Sequence, residues 1–400
     1  MANQEKLGYV VHQEKYDGRF GSEIDLGLGA SPIGPAPELY QPLKDRNPYF
    51  ELSKYPEDPL HIVTRQLIID ALGLKGIDYK AVVFDGNGSY GAGDEVIRYL
   101  TLKRFGPVYV SSYSFPNVSQ WVERHGNSYV PIVDLINLHP SSSWQKILES
   151  EDSKFNNAIV YLDYPNNPFG YTNLDLLKHI ILKVERTGGV ALVDLAFGEV
   201  LGDEFNQIIQ MTVDHGGVAL SSLSKTQGLP GLRTGYAIMS NRFLDDGYNG
   251  GQRLVFGLNR EAEFVYQQLF TKGKDGNYLA RIHAERVARY NIETNQLFYD
   301  GLSRLGLTVS PTDLRTSIQV IISNLPDFYQ RLSYVGIRSE SLADYKVTLG
   351  GEEGYSDSAV RLLTPPPGMV EGMEMREAVK GKILCGIENI KSKIQDTGHI

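Results

Sequence analysis

The chain has 400 residues, of which 42% are hydrophobic and 22% charged, a composition that suits one large globular domain with a smaller companion. A net charge of −9 gives no basic footprint for a nucleic acid. The single cysteine excludes an internal disulfide and a cysteine metal cluster, and no apolar run reaches the ~20 residues of a membrane helix, so a soluble cytoplasmic protein is expected.

The first residues, Met1 to Lys6, are polar and lack the apolar centre of a signal peptide. Residues 24–37 are rich in glycine and proline, which excludes a helix or a central strand and predicts an arm lying over the fold. In Ser53-Lys54-Tyr55-Pro56-Glu57-Asp58-Pro59, two prolines fix an extended turn ahead of a helix from about Leu60 to Leu72. On residues alone, Tyr55 reads as a packing side chain. Ala81 to Asp85 reads as a strand, Gly86 to Gly93 as a glycine-rich turn, and a helix is expected from about Asp94. Strand, turn and helix together aim backbone N–H groups at an anion, although Asp85 to Gly88 equally suits a plain turn. The dinucleotide fingerprint does not fit, because the ribose-binding acid is missing.

Pro107 to Ser111 is a further strand, and an aromatic, Tyr113, follows it. Ala158 to Leu162 is a strand that opens into the breaker cluster Asp163-Tyr164-Pro165-Asn166-Asn167-Pro168-Phe169-Gly170. A helix over Leu174 to Arg186 is capped by Asn173 and stopped by Gly188-Gly189. Gly189 to Val193 is a strand with Asp194 at its end, followed by Phe197. An acid at the carboxyl end of a strand lies where open α/β sheets bind ligands.

Gly217 to Leu220 and Thr234 to Met239 read as buried strands around Ser221-Ser222-Leu223-Ser224-Lys225-Thr226-Gln227-Gly228-Leu229-Pro230-Gly231-Leu232-Arg233. A lysine at the mouth of a strand, among small residues, is desolvated until its amine is nucleophilic. Such an amine can form a Schiff base with an aldehyde, and Arg233 is a fork suited to phosphate. The alternative is a surface lysine and arginine flanking a loop. Helices follow at about Glu261 to Phe270 and Ile282 to Leu302. From Gly306 an α+β unit is expected, with strands at 307–309, 318–322 and 359–363 and a closing helix at about Val370 to Ile394. Arg361 lies in the last of these strands. Strands alternating with helices predict a parallel, doubly wound α/β sheet, and the histidines show no metal-ligand spacing.

These motifs, in this order from Tyr55 to Arg361, resemble the fold-type I pyridoxal-phosphate enzymes, and in particular the class I/II aminotransferases of the histidinol-phosphate type. The resemblance implies a mostly parallel seven-stranded sheet sandwiched by helices, with a large cofactor-binding domain over 51–300. It implies a smaller α+β domain from 301–400 with the arm 1–50. Lys225 would hold pyridoxal 5'-phosphate as an aldimine and then act as the general base. Asp194 would keep the ring nitrogen protonated, Asn167 would bond to the ring's phenolic oxygen, and Tyr113 would stack on the ring. Phe197 stands where a tyrosine is common. Gly88, Ser89, Tyr90, Ser222, Ser224 and Arg233 would hold the phosphate. Arg361 would pair with a substrate carboxylate, with Asn167 and Ser31 near the substrate. Tyr55 would reach the cofactor of a partner subunit, which implies a homodimer with shared sites. The implied activity is amino transfer between an L-amino acid and a 2-oxo acid. The alternative is a decarboxylase, lyase or oxidase of the same fold; the substrate side chain stays open.

Overall fold

In the computed structural model of the chain, the described residues are 24–25, 27, 31–46, 58–111, 113–132, 139–248, 257–310, 312–323, 327–334, 337–342, 359–364 and 388. Tyr55 and, residue 388 apart, the expected helix at 370–394 lie outside them. In chain order the strands are β1 (Ile24–Asp25), β2 (Val82–Phe84), β3 (Val108–Ser111), β4 (Tyr129–Ile132), β5 (Ile159–Asp163), β6 (Val190–Asp194), β7 (Val218–Ser222) and β8 (Gly235–Met239). Then come β9 (Thr308–Val309), β10 (Ile318–Ile322), β11 (Ile337–Arg338), β12 (Glu340–Ser341) and β13 (Ala359–Leu363).

Strands β2 to β8 make one seven-stranded sheet in the order β2-β8-β7-β6-β5-β3-β4. Only β8 runs against its neighbours; the remaining pairings are parallel. The strands are nearly continuous apolar runs because both faces of a parallel sheet are covered. Alternate side chains of β5 show this: Val160 and Leu162 pack on one side with Ile180 and Ile208. Ile159 and Tyr161 pack on the other side with Val96 and Trp121.

Helix Leu174–Arg186 forms as expected. The Asn173 side chain accepts from the Leu176 N–H at 3.0 Å, and buried Leu177, Ile180, Ile181 and Val184 recur at helical spacing. The chain turns away at Gly188, where φ is +76°.

Two expectations are corrected. Helix Gly88–Leu102 begins six residues before Asp94, so the glycine run is its first turns and not a turn preceding it. Close packing explains those glycines. A Cβ at Gly91 would lie 1.8 Å from Asp85 Oδ1, and one at Gly93 would lie 2.6 Å from the Trp121 ring. The second correction is β4, an edge strand that the sequence reading missed. It contains Pro131, which breaks the strand signal but is tolerated at an edge.

A four-stranded antiparallel sheet, β12-β13-β10-β9, forms beside this layer, and β1 pairs with β11. The two layers meet at the carboxyl ends of β5 and β6, where Phe197 packs with Ile318 and Leu363. The long helix Leu279–Arg304 ties them further. Its Asn291 donates to the Arg315 carbonyl and its Asn295 to the Thr316 carbonyl, both at 2.7 Å.

Candidate active site

The carboxyl ends of β5, β6 and β7 open into a cavity of about 350 Å³, within the range of small-ligand sites. Asp163 and Asp194 end neighbouring strands in register, and Lys225 stands three residues beyond the end of β7. All three line the cavity.

Lys225 is only partly covered as a side chain, but its amine is desolvated. Burial, aided by the nearby Arg361 and Arg233 charges, pushes its pKa down to about 8 against the opposing pull of Glu340 and Asp194. An amine with that pKa is neutral often enough near pH 7–8 to attack or to take a proton.

Asp194 is anchored on both oxygens, by the Tyr161 hydroxyl at 2.7 Å and the Ala196 N–H at 2.9 Å. Burial holds its carboxyl above the ordinary range, against those two bonds. Asp163 is pushed up to about 7, again chiefly by burial, although the Asn167 N–H and the Asn166 amide donate to it. Through these bonds Asp163 sets the loop that carries Asn167 over the cavity.

A second group of residues makes an anion cradle. The helix N-terminus at Gly88, Ser89 and Tyr90 faces the cavity together with Ser222, Ser224 and Arg233. Free N–H groups and the positive dipole end favour an anion there. Arg233 takes a left-handed backbone conformation (φ +50°) that lays its guanidinium beside Asn87, 3.3 Å from the backbone and side-chain oxygens. Gly235 lets β8 approach the cradle, since a Cβ there would lie 2.4 Å from the Ser89 nitrogen.

The cavity walls are aromatic. Phe197 stands under Lys225, whose Nζ is 5.0 Å from the ring centroid. Phe115 and Trp121 form another wall, with ring centroids 6.1 Å apart. Tyr113, expected to stack on a cofactor, is fully buried and edge-on to Phe169 at 5.6 Å, and it is not among the lining residues. One residue, Ser114, separates it from Phe115; strand alternation would put both on one face, so it is the chain's departure from strand geometry after β3 that brings Phe115 alone to the cavity.

Arg361 is buried one layer further out. Its Nη1 donates to Asn167 Oδ1 at 2.8 Å, and its Nη2 pairs with Glu340 at 2.6 Å and donates to the Gly27 carbonyl. Ser31 is not a lining residue; its hydroxyl is buried without a partner among the described residues. It sits in the arm whose Gly34 packs against Gly228. Sequence reasoning missed Phe115, Trp121, Asp163 and Glu340. Only Asp163 had a usable signal, the same strand-end acid that singled out Asp194.

The donors present fit pyridoxal phosphate, whose phosphate, ring nitrogen and aldehyde match an anion cradle, a buried carboxylate and a desolvated amine. The aromatic walls suit a flat ring.

The family profile described as "Aminotransferase class I and II" matches residues 22–326. The histidinol-phosphate aminotransferase of Pyrococcus furiosus is 31% identical over 242 residues, which are 59% of this chain and 65% of that protein. The match thus spans slightly less than two thirds of that relative's length. The Staphylococcus carnosus histidinol-phosphate aminotransferase is 27% identical over 358 residues, 86% of this chain and 92% of that one. Among solved structures, the Sinorhizobium meliloti histidinol-phosphate aminotransferase in complex with pyridoxal-5'-phosphate is alike in fold, with TM-score 0.66 and 19% identity. The likeness covers 94% of each chain. No helix among the described residues is long and apolar enough to cross a membrane.

Proposed function

Because the chain belongs to the class I and II aminotransferases, we propose that it is a pyridoxal-phosphate-dependent enzyme that moves an amino group between an L-amino acid and a 2-oxo acid. One observation carries the reading: the Lys225 amine, Asp194 and the helix Gly88–Leu102 N-terminus converge on one cavity at the carboxyl ends of the sheet.

When bound, pyridoxal phosphate supplies the electron sink that stabilises negative charge at a substrate α-carbon. The chain's residues do the rest. Ser222, Ser224, Arg233 and the amides of residues 88–90 bind the phosphate. The Asp194 carboxylate, held by Tyr161 and the Ala196 N–H, keeps a proton on the ring nitrogen. The Asn167 side chain would orient the ring, and Phe115 and Phe197, which line the cavity, would exclude water from it. Lys225 Nζ would take the α-proton and hold it for return within the site, a role that its lowered pKa suits. Arg361 receives the substrate carboxylate.

Residues 51–300 form the cofactor-binding domain in this reading, and 301–400 with the arm 1–50 form the smaller one. The working unit is a homodimer in which the partner subunit's Tyr55 completes the site. The lone cysteine fits a reducing, cytoplasmic setting. The test is a panel of L-amino acids with a 2-oxo acid acceptor, with oxo-acid product, carbon dioxide and hydrogen peroxide all assayed. Amino transfer with neither carbon dioxide nor hydrogen peroxide formed from substrate supports the reading. Carbon dioxide or peroxide released in step with amino-acid loss, with no aminated acceptor, points to the decarboxylase or oxidase alternative and overturns it.

A further inference from the structure

Arg361 is already engaged by a carboxylate of its own chain. Its side chain is 4% exposed, and Nη2 stands 2.6 Å from Glu340 Oε2. The same nitrogen donates to the Gly27 carbonyl, while Nη1 donates to Asn167 Oδ1. Register on the small sheet makes the pairing local, since Glu340 of β12 lies opposite Arg361 of β13.

The geometry of a guanidinium gives this arrangement a consequence. A carboxylate binds it by two parallel N–H bonds, either end-on through Nη1 and Nη2 or side-on through Nε and Nη2. Both faces use Nη2. Its two hydrogens are directed at Glu340 and at the Gly27 carbonyl, so a bidentate ligand must displace one of them. Glu340 is the one able to leave. Its side chain is 32% exposed, so water can rehydrate the freed carboxylate.

We propose that Glu340 is a specificity-determining residue that competes with ligand carboxylates for Arg361. The inference rests on the reading of Arg361 as the carboxylate site given above. A ligand carboxylate gains the difference between its own bonds to Arg361 and those of Glu340, so only a carboxylate anchored elsewhere in the site outcompetes the resident one. The displaced Glu340 then remains beside the ligand, and its charge disfavours a second carboxylate there.

The test is binding of maleate, a rigid dicarboxylate, to the holoenzyme by calorimetry, comparing wild type with Glu340→Gln, Glu340→Asp and Arg361→Gln. Visible absorbance and circular dichroism check that each variant keeps cofactor and fold. Glu340→Gln keeps the shape and removes the charge, so maleate should bind about tenfold tighter, within the usual range of linked binding effects. Glu340→Asp should stay nearer to wild type, because the charge is retained. Arg361→Gln should weaken maleate at least tenfold. If Arg361→Gln weakens maleate but Glu340→Gln leaves it unchanged or weaker, the competition is overturned while the carboxylate site stands. If Arg361→Gln binds maleate as wild type does, the carboxylate site itself is wrong and the inference falls with it.

Discussion

Lys225 Nζ lies 5.0 Å from the centroid of the Phe197 ring, so the amine faces an aromatic surface where a hydroxyl donor could have stood. Two effects oppose each other at that contact. A cation over a ring is favoured by about 0.5–2 kcal/mol, which supports the ammonium. Desolvation supports the neutral amine, and a pKa carried from 10.5 to about 8 corresponds to about 3 kcal/mol. Desolvation wins, and the amine is kept reactive.

A first prediction follows from this contact. Phe197→Tyr adds a hydroxyl to the wall beneath Lys225. A donor near the phenolic oxygen of the cofactor spreads its negative charge and weakens its hold on the shared proton, so the yellow chromophore should lose that proton at lower pH. A pH titration of visible absorbance on both holoenzymes reads it directly. Identical titrations would mean that residue 197 does not touch the oxygen.

The correction at β3 gives a second prediction. Phe115 lines the cavity and Tyr113 does not. Phe115→Leu should therefore weaken cofactor retention by about two- to tenfold, the value of an aromatic pair of ~0.5–1.5 kcal/mol. Tyr113→Phe should leave it within twofold. Equilibrium binding of the cofactor to the stripped protein distinguishes the two, and the reverse ranking would restore Tyr113 as the stacking residue.

Glu199 supplies a pH prediction away from the cofactor. It is buried and accepts from the Gln227 amide at 2.7 Å, and burial pushes its pKa up to about 7 from 4.5. In the folded chain it stays protonated where the unfolded chain has already ionised. Its contribution is thus fully present below about pH 4 and is lost as pH rises to about 7, roughly 3 kcal/mol at ~1.4 kcal/mol per unit. Glu199→Gln should flatten the fall in urea-unfolding stability between pH 4 and 7. An unchanged slope would assign the dependence to other groups, Asp163 first.

Much of this was legible in the sequence because strand ends and turn formers are local signals. The runs Ile159–Asp163, Val190–Asp194 and Val218–Ser222 are apolar on both faces, and each ends on the residue that faces the cavity. Asn173 and Leu174–Arg186 were readable for the same reason: cap, period and stop are written within the seventeen residues from Asn173 to Gly189. What was hidden depends on long-range packing. Gly88 to Gly93 looked like a loop because glycine signals freedom, and only Asp85 and Trp121 lying against it explain a helix. Phe115 and Tyr113 differ by which way the chain turns after β3. Glu340 gave no signal at all, since its meaning comes from standing opposite Arg361 on a neighbouring strand.

The central claim is that Lys225 carries the cofactor, and one measurement addresses it most directly. The purified holoenzyme is reduced with borohydride, digested and analysed by mass spectrometry. The account predicts loss of the yellow colour and the reduced pyridoxyl-phosphate mass on the peptide containing Lys225, with Lys225→Ala unlabelled. Label on a different lysine, or a Lys225→Ala protein labelled as fully as wild type, would contradict it.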